Sequence, residues 1–335
     1  MNNSIKLFIF IILAIFFLNG CVEKEKESLE VGFLIHAFDK ERWQNDRDFF
    51  VEKVEELGGT VNVQIADNDA GKQLEQAKKL LANGVDVLVV VPVDQFAAAE
   101  IVKEAHAKNI KVISYDRLIK NCKLDFYVST DNVEIGALQA NYLTTIKPTG
   151  NYALIGGALS DNNSQHLYLG QMNVLQPLVE KGDISIIYNE FTKAWEEKEG
   201  YENTNKILKL NKDVDAIIAG NDAIAMGVIK ALREAGKEGE VLLAGQDADL
   251  INLQEIVAGH QTCTVYKPYD KLASTAADLA MKLAACEECE KTYQTISNGE
   301  ILVPAFFHHA SIVTKANLKL TVISEGYQKE EEVFK

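Results

Sequence analysis

Strand-like and helix-like segments alternate along this chain with a nearly constant spacing, and this alternation limits the possible folds more than any other feature. Short apolar segments typical of buried strands are each followed by a longer amphipathic segment, which often ends at glycine. Residues 85–91 are almost entirely Val and Leu, which is typical of a strand covered on both faces. Repeated units of this kind build a parallel sheet with helices on both sides. The strands expected in this first series are Leu29–Ile35, Thr60–Ala66, Val85–Val91 and Lys111–Tyr115.

A second series of strand and helix units follows the first and has a similar size. We therefore predict an α/β protein of two doubly wound parallel-sheet lobes, which suits a length of 335 residues. No low-complexity linker separates the two series, so we expect several short crossings between the lobes. The second series predicts strands at Tyr152–Ile155, Ile184–Tyr188, Ala216–Ala219 and Val241–Ala244, then a strand at Gln261–Tyr266, a helix at Asp270–Ala285 and an extended segment at Leu302–Ile312.

The N-terminus carries a short apolar run followed by a cysteine. The run Leu7–Leu18 is too short for a membrane-spanning helix of ~20 residues, but it has the length of a secretory signal. The next residues, Asn-Gly-Cys, complete a likeness to a bacterial lipobox, which implies cleavage before Cys21 and lipid attachment to its thiol. We expect residues 1–20 to be a lipoprotein signal peptide and residues 21–28 a flexible charged tether to the bacterial membrane, outside the cytoplasm. A plain signal peptide with an unrelated cysteine is the alternative.

Charge and missing motifs exclude several classes of function. The net charge of −15 argues against nucleic-acid binding, which requires clustered Lys and Arg. The sequence has no GxxxxGK[ST] loop, no GxGxxG after the first strand and no GxSxG. The six histidines are scattered, with no spacing typical of zinc ligands. We therefore expect no catalysis, no cofactor and no metal.

The cysteines do not indicate a disulfide framework. Five are present, and four remain when Cys21 is set aside. Cys286 and Cys289 form a single CxxC pair at the end of a helical segment, without the second pair of a zinc ribbon. We expect surface or helix-end thiols there, with a local disulfide as the alternative.

Polar side chains and both tryptophans stand at or near the ends of the predicted strands. In open parallel sheets, ligands bind beyond the carboxyl ends of the strands. Carboxylates and amides accept protons from hydroxyl groups, Arg and Lys donate to oxygen, and an indole covers an apolar ring face. This set of side chains suits a neutral polyol better than an anion. The candidate residues are His36, Arg42, Trp43, Asp116, Arg117, Asn163, Trp195, Asn221, Asp247 and Lys267.

Each candidate also has an interpretation without a ligand. Asn221 and Asp247 could cap helices, Trp43 could belong to the core, and Arg42 and Arg117 could form surface ion pairs. Only their joint placement at strand ends favours a shared cleft.

Several sequence strings together resemble the periplasmic sugar-binding proteins of the ribose and galactose type, and within them the D-xylose-binding proteins of ABC importers. The resemblance runs from about Leu29 to Val333. The combination of strings is more specific than any one of them. They are Glu41–Asp48, Gly84–Val89, Tyr115–Arg117, Gly156-Gly157, Asp161–Asn163, Asn221–Ala223, Gly245–Asp249 and Thr264–Pro268.

The resemblance implies a site for a monosaccharide, with D-xylose the first expectation. It places Trp43 and Trp195 on either side of the sugar ring. The segment His36–Phe38 departs from the family pattern, in which acidic and aliphatic residues are expected, so the sequence leaves the exact sugar open. The stretch Cys286–Gly299 is longer than the pattern and is expected far from the cleft. The implied sugar contacts are Arg42, Asp116, Arg117, Asn163, Asn221, Asp247 and Lys267.

The resemblance also implies two lobes joined by a hinge of three crossings. Residues 29–128 with 264–302 would form the first lobe, and residues 129–263 with 303–335 the second. The expected crossings lie near Phe126–Ser129, Gln261–Tyr266 and Val303–Phe307.

The implied partners are a monosaccharide and an ABC permease, with the protein acting as a monomer. An extracytoplasmic sensor that feeds a histidine kinase is the alternative, because both roles read the closed lobes. A repressor of the LacI type has a ligand-binding core of this fold, but it needs an N-terminal helix-turn-helix where this chain has a signal sequence.

Overall fold

Two lobes, each built around its own sheet, make up the part of the chain that this computed structural model describes, which is residues 28–335 apart from 39, 211–212 and 288–293. The predicted signal peptide, Cys21, most of the tether and Cys289 lie outside the described residues. The α/β architecture with parallel sheets is confirmed. In chain order the strands are β1 (Glu30–Ile35), β2 (Thr60–Ile65), β3 (Val87–Val90), β4 (Lys111–Tyr115), β5 (Phe126–Thr130), β6 (Gly150–Ala158), β7 (Ile184–Thr192), β8 (Ala216–Ala219), β9 (Leu242–Ala244), β10 (Thr264–Tyr266), β11 (Thr295–Ser297), β12 (Leu302–His308) and β13 (Ser311–Val313).

Helices follow most of the strands, as the alternating sequence pattern predicts. Several of them begin at an Asp or Asn whose side chain accepts a backbone N–H, as at Asp69, Asp131 and Asp161. In chain order the helices are α1 (Glu41–Glu56), α2 (Ala70–Asn83), α3 (Ala99–His106), α4 (Asn132–Ile146), α5 (Asn162–Lys181), α6 (Glu197–Lys209), α7 (Asp222–Glu234), α8 (Leu250–Ala258), α9 (Tyr269–Ala284) and α10 (Glu330–Val333), with a 3-10 helix at Leu318–Leu320.

The first lobe contains a seven-stranded sheet in the order β11-β12-β5-β4-β3-β1-β2. All neighbouring strands in it are parallel except β11 and β12, which are antiparallel. Helices α1 and α9 cover one face and helices α2 and α3 cover the other. Strand β3 is fully buried, which explains the run of Val and Leu in its sequence.

The second lobe contains a four-stranded parallel sheet in the order β7-β6-β8-β9. Helices α6 and α7 pack on one face and helices α4 and α5 on the other. Helices α4 and α5 approach closely, because a Cβ on Gly136 would lie 2.0 Å from the carbonyl oxygen of Leu167. The antiparallel pair β10 and β13 packs against the same lobe through Val265 and Ile312.

The chain crosses between the lobes a few residues later than predicted. Strands β5 and β12 remain paired inside the first sheet up to Thr130 and His308, so residues 129–130 and 303–308 belong to the first lobe. Strand β10 pairs with β13, so residues 264–266 belong to the second lobe. The predicted boundaries are wrong by these residues, because the strand pairing continues through the segments assigned to the hinge. The crossings instead lie between β5 and α4, between β10 and α9, and between β12 and β13.

The C-terminal segment packs on the second lobe. Leu318, Val322 and Val333 join a buried cluster with Leu253 and Ile256 of α8. Cys286 is an exposed thiol just after α9. None of the helices among the described residues has the length and apolar character needed to cross a bilayer.

Candidate ligand-binding site

A cavity of about 250 Å³ lies between the two lobes. All ten residues proposed from the sequence line it, so the structure brings the whole set together. We predict that each of the ten contacts a bound ligand. Lining residues that were not proposed as ligand contacts are Lys40, Asn68, Val93, Ala158, Ser160, Asp161, Lys193, Ala194, Glu196, Gln246 and Asp249.

The set converges because the carboxyl ends of both sheets face the same gap. His36 follows β1 and Asp116 follows β4 in the first lobe. Asn221 follows β8 and Asp247 follows β9 in the second lobe. The order of strands in each sheet therefore delivers polar side chains from distant parts of the sequence to one cavity.

The backbone turns sharply at the two aspartates. Asp116 has φ 60°, Asp247 has φ 110° and Ala248 has φ 58°, a region that residues other than glycine rarely adopt. Neighbouring groups hold the first turn, since the carbonyl oxygen of Asp116 accepts hydrogen bonds from Tyr127 Oη at 2.7 Å and Ser129 Oγ at 2.8 Å. Strained turns of this kind concentrate at functional sites.

The Arg42 guanidinium lies among carboxylates of both lobes. Its Nη2 pairs with Asp116 Oδ1, its Nη1 lies 3.7 Å from Asp247 Oδ1, and its Nε lies 3.3 Å from Asp46 Oδ2. Burial alone would lower the pKa of Arg42, but Asp116, Tyr269 and Asp46 raise it well above its usual range. Arg42 is therefore a fixed cation that contacts both sides of the cleft.

Two aromatic rings hold the same guanidinium in place. Arg42 Cζ lies 4.3 Å from the ring centroid of Trp43 and 4.4 Å from that of Tyr269. Trp43 is buried and also belongs to the core of the first lobe, so it is both a core residue and a cavity-lining residue. Its ring meets the imidazole of His36 edge to face at 4.5 Å.

Charges along the cavity balance. Its lining contains five cationic and five acidic side chains. Lys267 Nζ lies 2.7 Å from Asp247 Oδ1. Burial opposes ionisation of Asp116, but Arg42 and Lys267 outweigh it and lower the pKa of Asp116. A lining of paired opposite charges favours a neutral polar ligand over an ion.

Arg117, Asp161 and Asn163 join the lobes directly. Arg117 Nε of the first lobe lies 2.9 Å from Asp161 Oδ2 of the second. Burial raises the pKa of Asp161, although Arg117 opposes the shift. Asn163 Nδ2 donates to the carbonyl oxygen of Asp116 at 3.2 Å. The sequence analysis included Asp161 in a string of the resemblance but gave it no role.

His36 is a neutral member of the site. Burial lowers its pKa well below the usual value, and the nearby charges of Arg117 and Arg42 add to the shift. Arg117 Nη2 lies 3.2 Å from His36 Nε2, and because arginine only donates hydrogen bonds, Nε2 must accept. The proton of the neutral ring therefore sits on Nδ1.

Gly157 makes room for Trp195. A Cβ on Gly157 would lie 2.1 Å from two atoms of the Trp195 ring, so only glycine allows the indole to rest on the backbone there. Trp195 Nε1 is buried and has no hydrogen-bond partner among the described residues. It is a donor suited to an oxygen of a bound molecule.

Some of the capping alternatives also hold. Asn221 Oδ1 accepts a hydrogen bond from the backbone N–H of Ile224 at 2.9 Å, so Asn221 caps α7 and lines the cavity at once. Asp247 is not a cap, because α8 begins after Asp249.

Four of these further lining residues had a signal in the sequence, and two of them, Asp161 and Asp249, stand in strings already singled out. Asn68 follows β2, and the strand-end argument would have included it if extended to that strand. Gln246 stands directly before Asp247 in a string already singled out. Lys193 and Glu196 come from the loop between β7 and α6, where no residue pattern marks them.

A group of possible metal ligands lies outside the cavity. Glu238, Glu255 and His260 place ligand atoms within 4.8 Å of one another. Arg233 pairs with both glutamates, lying 3.2 Å from Glu255 Oε1. This group is an ion-pair network of the second lobe.

Comparison with known proteins agrees with this geometry. Residues 31–288 match the family model described as a periplasmic binding protein domain. A D-xylose-binding periplasmic protein of Haemophilus influenzae is 41% identical over 309 residues, which is 92% of this chain and 93% of the relative. The D-xylose-binding periplasmic protein of Escherichia coli is 41% identical over 313 residues, which is 93% of this chain and 94% of the relative.

Solved structures give the same result. A carbohydrate transporter solute binding protein from Chloroflexus aurantiacus, in complex with D-glucose, superposes with a TM-score of 0.86 at 29% identity, covering 91% of this chain and 98% of that one. An ABC transporter solute binding protein from Clostridium phytofermentans, with bound β-D-glucose, gives 0.83 at 25% identity, covering 91% and 99%. The resemblance inferred from the sequence strings is confirmed, and the chain belongs to the type I periplasmic binding proteins, which are binding proteins and not enzymes.

Proposed function

We propose that this protein is an extracytoplasmic receptor that binds a neutral monosaccharide, D-xylose first, between its lobes and delivers it to an ABC importer. The observation that carries the proposal is the cavity between the lobes, with balanced charges and both tryptophans in its lining. The D-xylose-binding relatives at 41% identity support the choice of sugar.

The donors and acceptors of the cavity match the hydroxyl groups of a sugar. Asp116, Asp247 and Asn221 offer oxygen acceptors, while Arg42 and Lys267 donate. The cavity of about 250 Å³ is near the lower end of small-molecule pockets. That size favours one sugar ring over an oligosaccharide.

The identity of the sugar is tested by a thermal-shift panel of pentoses and hexoses, followed by calorimetry. D-Xylose should raise the melting temperature most, because the stabilisation by a ligand that binds only the native state grows with the logarithm of its affinity. D-Glucose should be next, given the solved relatives that hold it. A protein that none of these sugars stabilises would contradict the proposal.

Binding should close the lobes. The lining residues come from both lobes, so a ring between them gains more contacts in the closed form than in the open one, and this difference shifts the population. The three crossings would act as the hinge. Small-angle scattering should show a smaller radius of gyration with saturating D-xylose, and an unchanged radius with a bound sugar would refute closure.

The proposal also includes a lipid anchor and a choice of transport over sensing. A lipid on Cys21 would hold the receptor at the outer side of a membrane, where an ABC permease can meet the closed lobes. The relatives at 41% identity do not favour the sensor that feeds a histidine kinase.

A further inference from the structure

A further carboxylate, Asp46, lies beneath the cavity without lining it. Asp46 is fully buried and stands one helical turn after Arg42 on α1. Arg42 Nε donates to its Oδ2 at 3.3 Å, and the Tyr115 hydroxyl donates to its Oδ1. The helix therefore supplies both the cation and a counter-ion, and strand β4 supplies a second donor.

The geometry gives Asp46 control over the direction of Arg42. The three guanidinium nitrogens each face a different carboxylate, and two aromatic rings flank the plane. A guanidinium presents its donors in a rigid fork, so fixing Nε also fixes where Nη1 and Nη2 point. Those two nitrogens face Asp116 and Asp247, which line the cavity.

We infer that Asp46 is a positioning residue of the sugar site: as a carboxylate it orients the Arg42 fork, and when it takes up a proton that hold weakens and affinity for the sugar falls. This inference rests on the proposed function, because it concerns the same site. Asp46 itself need not touch the sugar.

The surroundings of Asp46 allow it to take up a proton near neutral pH. Burial raises the pKa of Asp46 to about 6, although Arg42 and the hydrogen bond from Tyr115 oppose the shift. Arg42, which faces Oδ2 of Asp46, cannot accept a hydrogen bond, so the added proton must go to Oδ1. The Tyr115 hydroxyl, which donates to Oδ1 of the carboxylate, then turns to accept a hydrogen bond from the protonated Oδ1. The charged and titratable groups that act on Asp46 from the elements packed around it are Arg42, Tyr115, Asp116, Lys267, Tyr269 and Tyr327.

Asp116 and His36, which lie beside Arg42 and Arg117, do not compete in this range, whereas Asp161 has a pKa raised by burial and is the group that the test must separate from Asp46. Asp116 has a lowered pKa and stays ionised, and His36 has a lowered pKa and stays neutral. The sugar binds more tightly when Asp46 is ionised, so sugar binding lowers the pKa of Asp46. The affinity for the sugar must therefore fall as the pH drops through the pKa that Asp46 has in the sugar-free protein.

The test is calorimetric titration with D-xylose between pH 5 and pH 8. The wild type should keep its affinity at high pH and lose about tenfold in affinity as the pH falls through about 6. That factor corresponds to losing the ionic part of one buried hydrogen bond, the one between Arg42 and Asp46. Asp46→Asn imitates the protonated state, so it should bind about tenfold more weakly at pH 8 and show no further fall. Asp48→Asn makes the same change at an exposed position of the same helix and should behave as the wild type.

A second variant keeps the inference testable if Asp46→Asn does not fold. Tyr115→Phe removes the hydrogen bond that lowers the pKa of Asp46, so the fall in affinity should move to higher pH. An unchanged midpoint would overturn the inference. So would wild-type affinity and slope in Asp46→Asn, or a slope that disappears only in Asp161→Asn. A wild-type protein that binds no pentose or hexose at pH 8 would instead refute the proposed function.

Discussion

Gln95 joins the two lobes although it does not line the cavity. It lies between β3 and α3 of the first lobe and is almost fully buried. Its Nε2 donates to the carbonyl oxygen of Leu159 at 2.7 Å, and its backbone N–H donates to that of Ser160 at 2.9 Å. Both acceptors belong to the second lobe, so these bonds exist only when the lobes are together.

The Gln95→Ala variant should weaken sugar binding without changing sugar preference. It removes the side-chain bond and leaves the backbone bond, a net loss of about 0.5–1.5 kcal/mol for the closed form. In a receptor that is mostly open when empty, this full loss of closed-form stability appears in the free energy of binding, and the affinity falls about 2- to 13-fold. Since the lost bond does not touch the ligand, D-xylose and D-glucose should lose the same factor.

Calorimetry measures the ratio of wild-type to variant affinity for each of the two sugars. The matched control is Gln76→Ala, which removes a side-chain bond of 2.8 Å to the Ile65 carbonyl within one lobe. That control should lower thermal stability and leave affinity unchanged. An unaltered affinity in Gln95→Ala would refute the idea that this contact acts through lobe closure. A changed ratio between the affinities for D-xylose and D-glucose would refute it as well.

Three further predictions concern the cavity and the anchor. Gly157→Ala should cut sugar affinity at least tenfold and alter the fluorescence of Trp195, because the new Cβ would lie 2.1 Å from the indole and displace it; unchanged fluorescence would count against this packing. Asp247→Ala should weaken sugar binding about tenfold or more while the fold survives, since a sugar hydroxyl and Lys267 lose a buried partner; Glu330→Ala on α10 is the control for calorimetry. Cys21→Ala should release the protein from the membrane fraction or leave it unprocessed, and mass spectrometry that finds a mature N-terminus elsewhere would contradict the anchor.

Local patterns carried much of the fold. Strands β4 and β8 have the bounds that the sequence predicted, because each combines an apolar pattern with clear ends. The crossings were misplaced, since an extended apolar segment looks the same whether it pairs in a sheet or connects two sheets. Only the register of β12 with β5 decides that question.

The candidate site was predictable where it depends on strand ends and unpredictable where it depends on distant partners. His36, Asp116 and Asp247 could be found because the topology of parallel sheets fixes where they go. Tyr115, which bonds Asp46, and Leu159, which bonds Gln95, lie 69 and 64 residues away in the sequence, and no local pattern reports such contacts.

The two sheets take their strands from different parts of the sequence, and this affects the order in which the protein can fold during synthesis. The four-stranded sheet and helices α4 to α8 come from one continuous stretch, so that core can close as soon as this stretch is available. The seven-stranded sheet needs β12, and its core needs α9, both made near the end of the chain. The lobe that begins first must therefore wait for the last third of the protein, with its apolar faces uncovered meanwhile, and closing so long a loop is slow. The sheet that begins first is therefore the sheet that closes last.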